Sequence, residues 1–258
     1  MKKSIYGILF LALLGTIMFG CEKVESTSPP KIQNNIINKQ KSAYKTSNYS
    51  LNTSFSVSNV GQYHNFYLLQ AVNYAVNNST LNYSLILDEL DYDLDEFTQD
   101  NINEALINST ESERMTFLEI HVLEDVYNIL ISLEGVINNY PGDYNDVNTN
   151  LDQVLSNVNF NQFDQFNSYL ITGYAETLRS SAYFWYPTST GGSAAGDAYR
   201  VYRGKDINNV QGLPGWAKAD GRSFGWGLVW GTIFSGNPGS GAAAGIISGV
   251  GGSLMYGR

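Results

Sequence analysis

The last forty-odd residues constrain the fold most, because glycines recur there at four-residue steps. Gly227 and Gly231 form one G-x-x-x-G pattern, and Gly241, Gly245 and Gly249 form two more in tandem. Four residues make about one helical turn, so each set leaves a groove without side chains along one helix face. A second backbone can approach closely along such a groove, which is how helices pack in lipid.

The segment 216–258 is therefore predicted to be a glycine-rich helical hairpin. One helix covers 216–235 and the other 241–255, and the Asn-Pro-Gly turn at 237–239 separates them. Three alternatives are open: the hairpin packs on the rest of the chain, it enters a membrane or self-associates, or the segment is a flexible loop. We expect the glycine faces to point inward and the large apolar side chains outward, namely Trp226, Leu228, Val229, Trp230, Ile233 and Phe234.

The N-terminus is typical of an export signal. Two lysines precede an apolar run over 5–19, which ends at Gly20 and Cys21. The run is too short for a membrane span, so residues 1–20 are predicted to be a secretory signal peptide. Cys21 is the only cysteine, so no disulfide can form within the chain.

A small residue directly before Cys21, at the end of such a run, resembles a bacterial lipobox. The resemblance implies that Cys21 carries lipid, including palmitate, and is the first mature residue. Ordinary signal cleavage beside a coincidental cysteine is the alternative. Residues 22–25 resemble the acidic export signals of surface lipoproteins in the Bacteroidota, which implies an exported lipoprotein of the outer membrane. The Ser, Asn, Thr and Lys that follow predict a flexible tether over 21–60.

The middle of the chain, residues 61–188, has the apolar periodicity of helices and no convincing strand alternation. Short turn-rich connections between the periodic segments favour an all-α fold, an antiparallel helical bundle. The segment 189–215 is predicted to link this bundle to the hairpin. The helices are predicted to start at Gly61 and to cover 94–107, 110–137 with a capping box at Thr110 and Glu113, 147–158 and 161–183.

The uneven charge of the chain argues against a nucleic-acid partner. Residues 61–189 contain nineteen acidic and two basic side chains, and residues 190–258 contain six basic and three acidic ones. An acidic body repels phosphates. A mildly cationic, apolar tail suits an anionic membrane surface. The predicted partners are therefore membrane lipid, through Cys21 and through 216–258, or a second copy of the chain.

A resemblance to a group of exported Bacteroidota proteins covers both ends of the folded part. Residues 61–68 have the pattern G-x-x-H-N-x-x-L with which those proteins start. They continue with helices and end in a small-residue tail that begins A-D-x-x-G. Residues 219–223 begin with Ala-Asp and have serine at the glycine position. The resemblance implies no catalytic residues. The tail alone resembles glycine-zipper segments of two-peptide bacteriocins and of some outer-membrane lipoproteins.

Gly61, His64 and Asn65 are the candidate binding residues in the first of these motifs. His64 is either a pH-sensitive or ligand-binding group, or a helix-start histidine that hydrogen-bonds a neighbouring segment. His121 is expected to be a partly buried packing residue. Two histidines on separate helices do not predict a zinc site. The aromatic run 183–186 is expected to pack at a helix end, or else to anchor at a membrane interface.

No sequence motif predicts an enzyme, a cofactor or a metal site. Asp91, Asp93 and Asp95 have the spacing of a calcium loop, but Glu96 and Ile102 stand where the loop needs glycine and glutamate. G-x-S-x-G, H-E-x-x-H and G-x-x-x-x-G-K are absent from the sequence. We therefore expect a lipid-anchored envelope protein whose glycine-zipper tail associates with membrane or with itself, in a bacteriocin-like role. The alternative is a structural envelope lipoprotein with the hairpin packed on the bundle.

Overall fold

A computed structural model describes residues 57–78, 111–139, 142–205, 212–236, 238–254 and 256. All regular structure within these ranges is helical, so the predicted all-α class is confirmed for them. Several predictions lie outside the described residues, namely the signal peptide, Cys21, the tether up to residue 56, Asp91, Asp93, Asp95, the helix over 94–107 and the cap at Thr110. The predicted boundary between tether and helix at Gly61 is wrong, because residues 57–60 are already helical and Val60 is buried.

Eight α-helices follow one another in the described ranges, and buried apolar side chains from all eight form one core. Short 3-10 turns lie at Phe160–Gln162 and Thr188–Thr190. The helices are α1 (Val57–Asn77), α2 (Glu111–His121), α3 (Glu124–Asn139), α4 (Tyr144–Ser156), α5 (Gln165–Trp185), α6 (Ala194–Tyr202), α7 (Gly215–Ser235) and α8 (Pro238–Leu254).

Aspartates define where α4 and α5 begin. The Asp143 carboxylate accepts from the Asp146 backbone N–H at 3.0 Å, and the Asp146 carboxylate accepts from the Asp143 N–H at 3.3 Å. This capping box starts α4 earlier than its apolar periodicity predicted. Asp164 caps α5 by accepting from the Asn167 N–H at 2.7 Å. The end of α5 just before Pro187 is confirmed, since proline disfavours helix at the preceding residue.

The single long helix predicted over 110–137 is wrong, because α2 ends at His121 and α3 begins at Glu124. Nδ1 of His121 lies 2.7 Å from the Phe117 carbonyl oxygen, so the side chain occupies the end of α2. The first turn of α3 holds Glu124 and Asp125, where carboxylates complement the helix dipole. Val122 in the break and Val126 after it are both buried and four residues apart, so the apolar pattern looks like that of one continuous helix. His121 is exposed, against our expectation of partial burial.

Helix α6 lies within the segment 189–215 that we predicted to be a linker. Ser193 caps it, because its Oγ accepts from the Gly196 N–H at 3.2 Å and donates to the Phe184 carbonyl at 2.7 Å. A Cβ on Gly196 would lie 2.5 Å from that same carbonyl oxygen, so α6 rests directly on the end of α5. The glycines at 191, 192 and 212 favoured a linker, although the nine residues of α6 have an amphipathic pattern.

Helices α7 and α8 contact each other through small residues. A Cβ on Gly227 would lie 2.9 Å from the Gly245 Cα, and one on Gly231 would lie 3.0 Å from the Gly241 Cα. Real Cβ atoms do not approach backbone so closely, so these glycines are what permit the contact. Most residues of α8 are buried, and α8 also packs on α1.

The other side of α7 is also buried, which corrects the prediction that its large side chains point outward. The Trp226 ring meets the edge of Tyr174 on α5, with centroids 5.2 Å apart. A Cβ on Gly173 of α5 would lie 3.0 Å from Leu228, so this glycine accommodates the leucine. Ile233 is partly buried, and the side chain of Phe234 lies outside the description. At most 7% of the surface remains exposed for Trp226, Leu228, Val229 and Trp230.

Candidate functional site

A buried polar network joins α1, α5 and α7. Nε2 of His64 lies 3.1 Å from Oδ2 and 3.2 Å from Oδ1 of Asp220. The Ser181 hydroxyl donates to Oδ2 at 2.6 Å, and the Trp185 indole N–H donates to the same oxygen at 2.9 Å. All four side chains are at most 2% exposed. We call His64, Ser181, Trp185 and Asp220 the Asp220 network.

Helical spacing places these groups on facing surfaces. Ser181 and Trp185 are one turn apart on α5, so both point toward Asp220. Phe224 follows Asp220 by one turn on α7, and its ring stacks on the His64 imidazole with centroids 4.1 Å apart and planes at 15°. The imidazole is therefore held by a carboxylate at its edge and by an aromatic ring on its face.

Two glycines make room for the Asp220 network. A Cβ on Gly61 would overlap the Ser180 side chain and lie 3.2 Å from the Glu176 carbonyl oxygen, so this glycine lets α1 approach α5. A Cβ on Gly249 would lie 3.0 Å from Oδ1 of Asp220, so this glycine lets α8 cover the carboxylate. Both positions thus have a packing reason to be glycine.

Three donors surround the Asp220 carboxylate, so its oxygens act only as acceptors. Nε2 of His64 faces that carboxylate and donates to it. Nδ1 lies 2.8 Å from Oδ1 of Asn65, which is partly buried beside it. The Asn65 amide therefore holds the second ring nitrogen of His64, and the orientation of the amide determines which of the two atoms donates.

The hydrogen bonds of the Asp220 network do not join serine, histidine and aspartate in the order of a catalytic triad. A nucleophilic serine needs a base that removes its proton, and in hydrolases this base is the histidine. Here Ser181 donates to Asp220 and not to His64. Since Ser181 is 2% exposed, a substrate would also have no access to its oxygen. The network is therefore a connection between three helices.

Glu134 on α3 forms a second buried polar cluster, which sequence reasoning missed. Its carboxylate accepts from the Trp226 indole at 2.8 Å and from the Tyr174 hydroxyl at 3.3 Å, and pairs with Arg222 at 3.3 Å. Burial, reinforced by the Glu134 charge, raises the pKa of Tyr174 well above its usual value. The sequence did contain a signal, because the helical spacing of the apolar residues places Glu134 on the buried side of α3, between Leu133 and Val136.

Buried polar atoms on α6, and at Tyr186 before it, lack a hydrogen-bond partner among the described residues. Nε of Arg200 donates to the Trp185 carbonyl at 3.3 Å, but its Nη2 has no hydrogen-bond partner in the described part of the chain. The same holds for the Tyr186 hydroxyl and for Oδ1 of Asp197. Burial lowers the pKa of Arg200, and the charge of Asp197 opposes this. Buried water is the usual partner of such atoms.

Tyr186→Phe is expected to reduce the loss of stability at alkaline pH. Burial, followed by the charge of Asp143, raises the pKa of Tyr186 from 10.0 to about 12. The unfolded chain releases this proton first, so stability is complete below pH 10 and falls as the pH rises through 12. The variant also loses a hydroxyl without a partner, so its stability at neutral pH should change by less than about 1 kcal/mol.

Urea denaturation at pH 8, 10 and 11 tests this expectation. The slope of stability against pH should become shallower in Tyr186→Phe without vanishing, because burial raises the pKa of Tyr169 and Tyr174 in the same direction. An unchanged slope would contradict the assignment.

The structure brings together the two motifs that carried the resemblance, since His64 of 61–68 meets Asp220 of 219–223. The zipper glycines lie along the contact between α7 and α8, and His121 lies apart from the Asp220 network. Asp220 was part of a motif but was not predicted as a site residue. Of the aromatic run, Phe184, Trp185 and Tyr186 are buried and Tyr183 is partly exposed.

Within the described ranges, no helix combines the length and the hydropathy that a membrane span requires. Nor do three histidine, cysteine or acidic side chains of those ranges meet in a group that could hold a metal ion. Comparison of the chain with protein-family models, curated proteins and solved structures gave no match.

Proposed function

We propose that this chain is an exported, lipid-anchored envelope protein in which the glycine-rich hairpin is an internal part of an antiparallel helical bundle. Cys21 would attach it to membrane lipid, and the tether between Cys21 and Val57 would hold the helices away from the surface. The role is structural and not catalytic. The observation that supports this proposal is the burial of α7 on both of its faces.

The contacts of α7 and α8 follow the order expected of a hairpin. Gly231 lies opposite Gly241, while Asp220, early in α7, lies opposite Gly249, late in α8. One side of α7 meets α8, and the other meets α5 and α3. A hairpin in this position fills the centre of the bundle, so its glycines serve the internal packing of the protein.

Moving the hairpin into lipid would break the buried hydrogen bonds of the Asp220 network. It would take Asp220 away from His64, Ser181 and Trp185, and would leave three buried donors without an acceptor. Each buried donor left unsatisfied costs about 1–3 kcal/mol. The Asp220 network thus favours the internal position of the hairpin over insertion.

Membrane association or self-association of the hairpin, including a bacteriocin-like role, is the second candidate function. It is favoured by the glycine grooves of α7 and α8, which suit close helix contacts in lipid or between chains. Both candidates keep the lipid on Cys21, and they differ in whether the hairpin also holds the protein at the membrane.

Metabolic labelling with a palmitate analogue tests the lipid anchor. We expect label on the wild-type chain and none on the matched variant Cys21→Ser, because the thiol is the acylated group. Absence of label from the wild-type chain would refute the anchor and leave the proposal about the hairpin standing.

Liposome flotation of residues 22–258, purified without lipid, tests the hairpin. We expect this chain to stay with the soluble fraction on both zwitterionic and anionic vesicles, and the lipidated protein to float. Flotation of the lipid-free chain, with dye release, would favour the second candidate. Sedimentation should give a monomer if the glycines are occupied internally.

A further inference from the structure

A surface groove between α3 and α4 is separate from both buried polar clusters. Its volume is about 590 Å³, within the range of about 300–1,000 Å³ that small-molecule sites occupy. The aliphatic side chains of Ile129, Val154 and Val158 line it, and each is partly exposed. They leave an apolar strip that other described side chains do not cover completely.

Amide and hydroxyl groups surround this apolar strip. Asn128 and Ser132 lie on α3, and Asn157, Asn159 and Gln162 lie at and beyond the end of α4. A carboxamide donates and accepts within one plane, as a sugar's neighbouring hydroxyls do. The groove therefore offers hydrogen-bonding groups for the hydroxyls of a sugar and an apolar strip for the C–H face of its ring.

Two of these amides are already held in position. Nδ2 of Asn157 donates to the Gln153 carbonyl at 3.0 Å, and Oδ1 of Asn159 accepts from the Asn161 backbone N–H at 3.3 Å. Each bond fixes one end of an amide and leaves its other polar atom available. Side chains ordered before a ligand arrives lose less entropy on binding.

The charge of the lining restricts the ligand. Among the described residues that line the groove, Asp125 is the only ionisable side chain, and none is a lysine or an arginine. An anionic ligand would meet a carboxylate without a compensating cation. One carboxylate is also too few for a cation that needs several oxygen ligands. A neutral ligand rich in hydroxyls fits this lining.

A peptide fits the groove less well. Extended peptides bind by adding to a sheet edge, and the groove is formed by helices. Amphipathic helices bind in continuous apolar grooves, and here amides interrupt the apolar strip. We infer that the groove between α3 and α4 binds a short neutral oligosaccharide, an activity that goes beyond the proposed anchoring role.

An array of neutral and acidic oligosaccharides tests this inference, followed by calorimetry with maltotriose, cellotriose, triacetylchitotriose and trigalacturonate. We expect one or more neutral sugars to bind and the anionic trisaccharide to fail. Asn128→Ala and Gln162→Ala should each weaken binding by about three- to tenfold, as expected for the loss of one or two hydrogen bonds. Both side chains are exposed, so neither change should disturb the fold.

Asn139→Ala is the matched control, because Asn139 is exposed on the same helix but outside the groove. It should leave the affinity unchanged. The inference is overturned if no neutral sugar on the array binds, if only acidic sugars bind, or if the control weakens binding as much as Asn128→Ala does. Circular dichroism of each variant separates a lost contact from a lost fold.

Discussion

Replacing Asp220 by alanine should lower the free energy of unfolding by about 3–5 kcal/mol, because a buried hydrogen-bonded carboxylate is removed and its donors keep no acceptor. The carboxylate accepts from His64, Ser181 and Trp185, and alanine has no atom that could replace it. Equilibrium urea denaturation followed by circular dichroism measures the loss.

The matched control for this prediction is Asp152→Ala. Asp152 also loses a charge and a partner, since it accepts from Arg179 at 2.7 Å, but its side chain is 61% exposed. Exposed pairs contribute little, so this change should cost less than about 1 kcal/mol. Equal effects of the two substitutions would show that burial of the Asp220 network does not stabilise the fold.

Gly245→Ala should destabilise the protein by about 1–3 kcal/mol, as overpacking of a close contact usually does. The added Cβ would lie 2.5 Å from the Phe224 ring and 2.8 Å from the Phe224 carbonyl oxygen. The ring cannot move freely, because it stacks on His64. The substitution therefore pushes α8 away from α7 or disturbs the Asp220 network. Thermal and urea unfolding measure the change.

Gly135→Ala is the control for the glycine prediction, and its effect should have the opposite sign. Gly135 lies inside α3, and the nearest atom to an added Cβ is Nδ2 of Asn139 at 3.7 Å. Alanine should therefore stabilise the helix by about 0.5–1 kcal/mol. If Gly245→Ala were stabilising as well, the close contact between α7 and α8 would be wrong.

Local signals predicted the features of the fold that depend on neighbouring residues. The all-α class and the end of α5 just before the Tyr186-Pro187 pair followed from periodicity and from Pro187. The break between α2 and α3 did not, because apolar spacing reports which face is buried and not whether the helix is continuous. The cap at Asp143 was visible in the sequence but was not recognised.

The position of α7 shows a more general limit. From Phe224 onward α7 carries no charged side chain, and such a helix segment is buried either in protein or in lipid with the same sequence pattern. Whether α7 is buried in protein or in lipid depends on whether α3 and α5 offer an apolar surface for it, and that is a property of the tertiary structure. Likewise His64 and Asp220 are 156 positions apart, and no spacing rule connects them.

The separation of His64 from Asp220 also determines when the chain can fold. During synthesis the imidazole appears early, and its carboxylate partner follows only with the last two helices. Contacts between distant parts of a chain form late, because closing the long loop costs entropy first. A nascent chain that ends before α7 has no complete core, so it should stay open to chaperones and proteases until the C-terminal helices emerge. Fragments truncated within α7 should accordingly be degraded rather than accumulate.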